Sequence, residues 1–175
     1  MNSSELKYAA GVIPYVKENG KIYFLLGYEN KKWSGFIGKY EDCDNENIIN
    51  TAIREFNEET ANIFEDYLIQ IKDLIVHSKC VFVQTRTKYR IIYIYFVEMD
   101  STILDIPYET LFLEQLSIST NEAYKEKSEI KWIEYSQLDQ FDLIMGLKKV
   151  ILYSFRQNSK SAVPGAAIVS KNNNR

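Results

Sequence analysis

The sequence predicts an α/β layered fold, because β-prone and helical segments interleave along the chain. Two strand-like runs meet at an Asn-Gly turn near the start, and two more meet at a polar turn in the middle. Segments with amphipathic helical spacing follow each pair. The 175 residues suffice for one domain with a full core. Residues 1–158 are assigned to that domain, and the small, polar residues 159–175 to a mobile tail.

Residues 9–16 and 22–28 read as strands, joined through Asn19-Gly20, a strong hairpin signal. The second is apolar on both faces and belongs in the sheet interior. Residues 31–38 are expected to form a loop into a helix that ends near Thr60. Asp42, Asp44 and Asn45 are its candidate caps, and Glu46 in the first turn suits the helix dipole. An apolar segment, 67–76, leads to β-prone runs at 80–85 and 89–98, the second read as fully buried. Residues 107–118 have helical spacing and read as an inserted helix or a surface loop. A last strand at 130–135 and an amphipathic helix at 141–156 complete the domain.

Composition narrows the function. A net charge of −3 argues against a surface given over to nucleic acid. No apolar run approaches the roughly 20 residues of a membrane span, and the start, MNSSELKY, lacks a signal-peptide apolar region. Cys43 and Cys80 are too few for a disulfide framework and fit free thiols in a reducing cytosol. With them, the single His77 makes a structural zinc site a poor fit, and it reads as an incidental strand residue.

The chemistry concentrates on the helix that follows Trp33. Arg54, Glu55, Glu58 and Glu59 fall in one short burst. At about 100° per residue the three glutamates share roughly a 100° arc. Ile49, Ala52, Ile53 and Phe56 occupy the neighbouring arc, so the acidic stripe borders the core. Like charges one turn apart, Glu55 and Glu59, cost about 0.2–0.5 kcal/mol, and Arg54 is the helical counter-charge. Massed carboxylates on a rigid element suit a hard divalent cation such as Mg²⁺.

With these residues in view, the chain resembles the Nudix hydrolase family. The family signature runs Gly, five residues, Glu, seven residues, then Arg-Glu-U-x-Glu-Glu-x-Gly-U, where U is bulky and aliphatic. Here Glu46, seven residues, and Arg54-Glu55-Phe56-Asn57-Glu58-Glu59-Thr60 match the second half. Trp33 with FIGKYE resembles the family's approach to the box, and EKSEIKWIEYSQL (126–138) its late strand and turn. The resemblance covers residues 8–157 and implies an α/β/α sandwich around a mixed sheet. Three departures stand out. Gly38 precedes Glu46 by two residues too many, leaving Asp44 at the expected spacing; Ile37 replaces a glycine; Ala61-Asn62 replaces the Gly-U that ends the helix. Asn62 suits a left-handed helix end.

The resemblance implies hydrolysis of a diphosphate linkage in a nucleoside diphosphate derivative, with Mg²⁺ or Mn²⁺ as cofactor. The metal residues carried over are Glu55, Glu58, Glu59 and, through its carbonyl, Gly38. Arg54 orients a neighbouring glutamate, Glu46 is structural near Arg54, and Glu41 ties the loop. Glu126 is the candidate base, with Glu122 and Glu129 as rivals, so Glu58, Glu126 and Arg54 form the catalytic set. Arg86, Lys88 and Arg90, around one turn, are candidates to grip phosphate from a shared face, and Trp33, Tyr28 and Tyr40 to stack a base. Lys148, Lys149, Arg156 and Lys160 make the last helix basic, which would suit capped RNA. The partner is a nucleotide-derived small molecule or, alternatively, capped RNA or a diphosphoinositol polyphosphate. A catalytically degenerate Nudix binding module is the reading outside enzymology.

Overall fold

A computed structural model describes residues 7–87, 90–156 and 168–169. Its first strand, β1 (Lys7–Glu18), turns through Asn19 and Gly20, at φ 49° and 77°, into β2 (Lys21–Glu29). Two left-handed residues in succession match the strands' twist, which is why Asn-Gly closes the hairpin. The expected loop at 31–38 is instead two short strands, β3 (Lys32–Ser34) and β4 (Phe36–Lys39). β4 returns along the first half of β1, pairing Ala10 with Gly38, and β3 pairs with the end of β2. Trp33 is buried on one face of the sheet and Phe36 on the other, so each strand is anchored to the sheet and does not cross open space.

The acidic helix, α1 (Ile48–Glu59), is capped by Asn47, whose side chain accepts from the N–H groups of Ile49 and Asn50. The expected caps Asp42, Asp44 and Asn45 therefore lie outside it; residues 42–44 form a single 3₁₀ turn, and Glu46 precedes the helix. The chain leaves α1 through Ala61 and Asn62, both left-handed at φ 52° and 64°. Then come α2 (Leu68–Val76), β5 (Val81–Arg86), β6 (Arg90–Glu98), α3 (Tyr108–Ile118), β7 (Glu129–Glu134) and α4 (Leu147–Arg156). The inserted-helix reading of 107–118 is the one found, and α4 is shorter than expected at its start. His77 caps the end of α2, not a strand, and both cysteines are free.

Eight strands among the described residues form one mixed sheet, in which β1 and β6 run parallel and β7 pairs antiparallel with β2. A two-residue strand, β8 (Ile168–Val169), pairs parallel with β5; the rest of the expected mobile tail lies outside the described residues. Period-two alternation divides the core. Val12, Leu25, Tyr95 and Val97 face α1, α2 and α3, through Phe56, Ile71 and Phe112. Ile13, Phe24, Leu26, Ile94 and Phe96 face Leu147, Ile151 and Phe155 of α4. The result is an α/β/α sandwich. β6 is fully buried only from Ile94 to Val97, its earlier half being partly open.

Candidate active site

Arg54 is the hub that fixes the loop to the helix. Its Nε and Nη2 donate to Asp44 Oδ1 and Oδ2 at 2.9 and 3.0 Å, and Nη2 also donates to the Lys39 carbonyl at 2.7 Å. Its Nη1 donates to Glu58 Oε2 at 2.9 Å and lies 3.0 Å from Glu55 Oε1. Asp44 is buried and also accepts from the Glu41 N–H and Thr51 Oγ1. Desolvation works against its charge, but these bonds outweigh it and hold the carboxyl below the usual range. Asp44, not the expected Glu46, is thus the loop carboxylate that meets Arg54. Glu46 is exposed and left-handed at φ 56°, and the two extra loop residues are taken up by Asn45 and Glu46. Glu41 reaches Arg54 at 3.7 Å.

Behind this hub the carboxylates are packed against the sheet. Glu55 and Glu59 are buried, and Glu58 is half-buried. A Cβ built on Gly38 would fall 1.9 Å from Glu55 Oε2, so β4 and α1 approach this closely only because position 38 is glycine. Burial pushes Glu59 up to about 8, against the pull of Lys127, and Glu55 up to about 7, against Arg54. Glu29, Glu59 and Glu126 each bring a carboxylate oxygen within 4.8 Å of the others. Lys127 is wholly buried and pairs with two of them, its Nζ 2.5 Å from Glu29 Oε1 and 3.1 Å from Glu59 Oε1.

One buried oxygen decides what this cluster fits. Glu59 Oε2 is shielded from solvent and has no hydrogen-bond partner. A buried carboxylate oxygen left without a partner is costly, and a cation bound there would satisfy it. Carboxylates on a rigid helix beside a backbone turn are oxygen donors of the kind Mg²⁺ and Mn²⁺ take.

The architecture has counterparts. No family model matches the chain. Over 69 residues it is 39% identical to an uncharacterized protein, L534, of Acanthamoeba polyphaga mimivirus, a match covering 35% of this chain and only 21% of that protein. The Nudix domain of Shewanella oneidensis NrtR, solved with ADP-ribose, superposes at a TM-score of 0.53 with 10% identity, each chain being 90% covered. The chain has the Nudix fold. A C. elegans Ap4A hydrolase, in a binary complex, gives 0.51 at 20% identity, with 88% of this chain and 98% of that one covered.

Within the Nudix fold, the residues expected at the site divide into two groups. Gly38, Arg54, Glu55, Glu58, Glu59 and Glu126 come together on the α1 side of the sheet. Among the late glutamates, Glu126 joins the cluster; Glu122 pairs with Lys125 instead. Trp33 does not stand at the mouth of the site. It points to the α4 side, only 8% exposed, with its ring 5.2 Å from Tyr28 and 5.7 Å from Phe141. Arg86 and Arg90 do not share a face. Arg86 is paired with Ile91, which puts Arg86 on the α1 side and Arg90, one residue from Ile91, on the α4 side. Lys88 lies outside the described residues. The basic residues of α4 are across the sheet from the acidic helix, so they do not flank the site.

Sequence reasoning missed Glu29, Ser34, Asp44's anchoring role and Lys127. Of the three aromatic residues expected to stack a base, Tyr40 lies in an aromatic patch beside the hub, whose other rings, Tyr8, Tyr93 and Phe82, sequence reasoning missed. Tyr40 follows the carbonyl that Arg54 grips, and its ring lies 5.2 Å from Tyr8. Tyr8 meets Tyr93 at 6.1 Å, and Tyr93 stacks on Phe82. All four rings are half-buried, and the Tyr8 hydroxyl is buried without a partner. Strand alternation at 8, 10 and 12 was the available signal, but Tyr8 sits at the edge of the predicted strand.

Proposed function

We infer that this protein is a metal-dependent diphosphatase acting on a nucleoside diphosphate derivative in the cytoplasm. The observation that carries this reading is the partnerless Glu59 Oε2, buried in a carboxylate cluster on the α1 side of a Nudix fold. Glu55, Glu58, Glu59 and the Gly38 carbonyl would hold Mg²⁺ or Mn²⁺. Such an ion, when bound, neutralises phosphoryl oxygens and lowers the pKa of a bound water.

The chain's own residues supply the rest. Arg54 holds Glu55 and Glu58 in place and clamps the loop through Asp44, which keeps the carboxylates rigid. Glu126 is exposed at the rim of the cluster and takes the proton of the attacking water. Tyr8, Tyr40 and Tyr93 offer a half-buried aromatic surface beside the hub for a nucleobase. Arg86, on the same side of the sheet, engages the substrate's phosphates. ADP-ribose on the NrtR domain and the name of the C. elegans hydrolase support a nucleotide-derived class.

The test is turnover of a panel in Mg²⁺ and in Mn²⁺: nucleoside triphosphates, sugar and dinucleotide diphosphates, diphosphoinositol polyphosphates and capped RNA. Glu59→Gln is run beside the wild type. Metal-dependent cleavage of a dinucleotide or nucleoside diphosphate compound, lost in Glu59→Gln, is the expected result. Activity unchanged by that substitution would overturn the site. Nucleotide binding without any turnover would favour a binding module, and cleavage confined to capped RNA would move the substrate class.

A further inference from the structure

Lys127 is a lysine with no exposed side-chain surface, held between Glu29 and Glu59, the second of which is also a proposed metal ligand. Its ammonium has three N–H donors, and all three have acceptors: Glu29 Oε1 at 2.5 Å, Ser34 Oγ at 2.8 Å and Glu59 Oε1 at 3.1 Å. Ser34 in turn donates to Glu29 Oε1 at 2.8 Å. The stem is locked as firmly as the head. It crosses β2 at Gly27, where an added Cβ would lie 2.8 Å from Lys127 Cδ and 2.9 Å from Cγ. Glu29, Gly27 and Ser34 lie on the α1 side of β2 and β3, so the sheet itself is shaped to admit this side chain.

We propose that Lys127 is a built-in countercharge that fills the inner cation position of the cluster and so limits the number of divalent ions the site accepts. The inference rests on the metal-dependent reading above. It divides Glu59 between two cations: Oε1 belongs to Lys127, while the partnerless Oε2 is left for a divalent ion shared with Glu55, Glu58 and the Gly38 carbonyl. Glu29, which would otherwise be an outlying metal ligand, is committed to the lysine. Lys127 is a positioning residue: it acts on the substrate only through the carboxylates that it holds.

The experiment counts Mn²⁺ ions per chain, by electron paramagnetic resonance and titration calorimetry, in the wild type, Lys127→Gln and the exposed-site control Lys125→Gln. Lys127→Gln is expected to bind one more Mn²⁺ than the wild type, and Lys125→Gln the same number. Equal counts in Lys127→Gln and wild type would overturn the proposal while leaving the hydrolase reading standing. No Mn²⁺ in the wild type but one in Lys127→Gln would keep the countercharge and sink the hydrolase reading; none in either would sink both. A second measurement needs no variant. Reductive methylation with mass spectrometry should leave Lys127 unmodified in EDTA and in saturating Mg²⁺. Methylation of Lys127 on addition of Mg²⁺ would show that the ion displaces it, against the proposal.

Discussion

Arg54 and Asp44 are joined by two parallel charge-assisted hydrogen bonds, Nε to Oδ1 at 2.9 Å and Nη2 to Oδ2 at 3.0 Å. Paired donors on paired acceptors give geometry as well as energy. One carboxylate thereby ties the loop after β4 to the second turn of α1. Asp44→Ala is expected to cost about 3 kcal/mol in chemical denaturation, because it leaves Arg54 partly buried with two of its four hydrogen bonds gone. Glu46→Gln should change stability by less than about 0.5 kcal/mol, as expected for an exposed residue. A larger loss from Glu46→Gln than from Asp44→Ala would reverse the assignment.

Gly38 permits a contact that no other residue would. With a Cβ only 1.9 Å from Glu55 Oε2, Gly38→Ala must push either β4 or the Glu55 carboxylate away. Displacing a residue that orients a ligand typically weakens metal binding by about 10–100-fold. Mn²⁺ affinity measured by calorimetry should therefore fall in that range, with the fold intact by circular dichroism. Unchanged affinity would place the ion elsewhere.

Burial of Glu55 and Glu59 sets a pH dependence whose sign is fixed. Both carboxyls are raised from an ordinary 4.5, to about 7 and about 8. Between pH 4.5 and 8 the folded, metal-free protein therefore holds more protons than the unfolded chain. The contribution of these two groups to stability is fully present below pH 4.5 and is lost as pH rises through 7 and 8, by up to about 1.4 kcal/mol per pH unit for each proton. Denaturation in EDTA across this range should show the decline, and Glu59→Gln should flatten it. Mn²⁺ should oppose it, since binding displaces protons from the carboxylates; calorimetry in buffers of differing ionisation enthalpy measures that release.

The parts of the molecule that were legible are those where local pattern and burial coincide. The Asn19-Gly20 turn and the spacing of Ala52 and Phe56 against Glu55 and Glu59 each fix a structure by themselves. Asn47 was overlooked as a cap because Asp42, Asp44 and Asn45 offer equally good capping chemistry a few residues earlier, and only the packed loop chooses among them. Trp33 was misplaced because a three-residue strand is too short to declare which face it buries. The pairing of Arg86 with Ile91 is a matter of register, which a polar hairpin turn leaves open. Lys127 was the least visible. In EKSEIK it reads as one of several surface charges, and it is buried only because Gly27, distant in sequence, leaves a channel for its stem.

That register separates two arginines that look equivalent along the chain. Arg86 lies on the side of the sheet that carries α1 and the carboxylates; Arg90 lies on the side that carries α4. A guanidinium that binds phosphate in the ground state and the transition state alike lowers KM without changing kcat. Loss of one hydrogen bond to a charged group is worth about 1.5–3 kcal/mol. Arg86→Ala is therefore expected to raise KM for a nucleoside diphosphate substrate by about tenfold or more, with kcat nearly constant. Arg90→Ala should leave both constants within about twofold, since its side chain is separated from the site by the sheet itself. Steady-state kinetics on the two variants gives a direct comparison. Equal effects would mean that the substrate wraps around the β5–β6 turn, as an extended molecule such as capped RNA would.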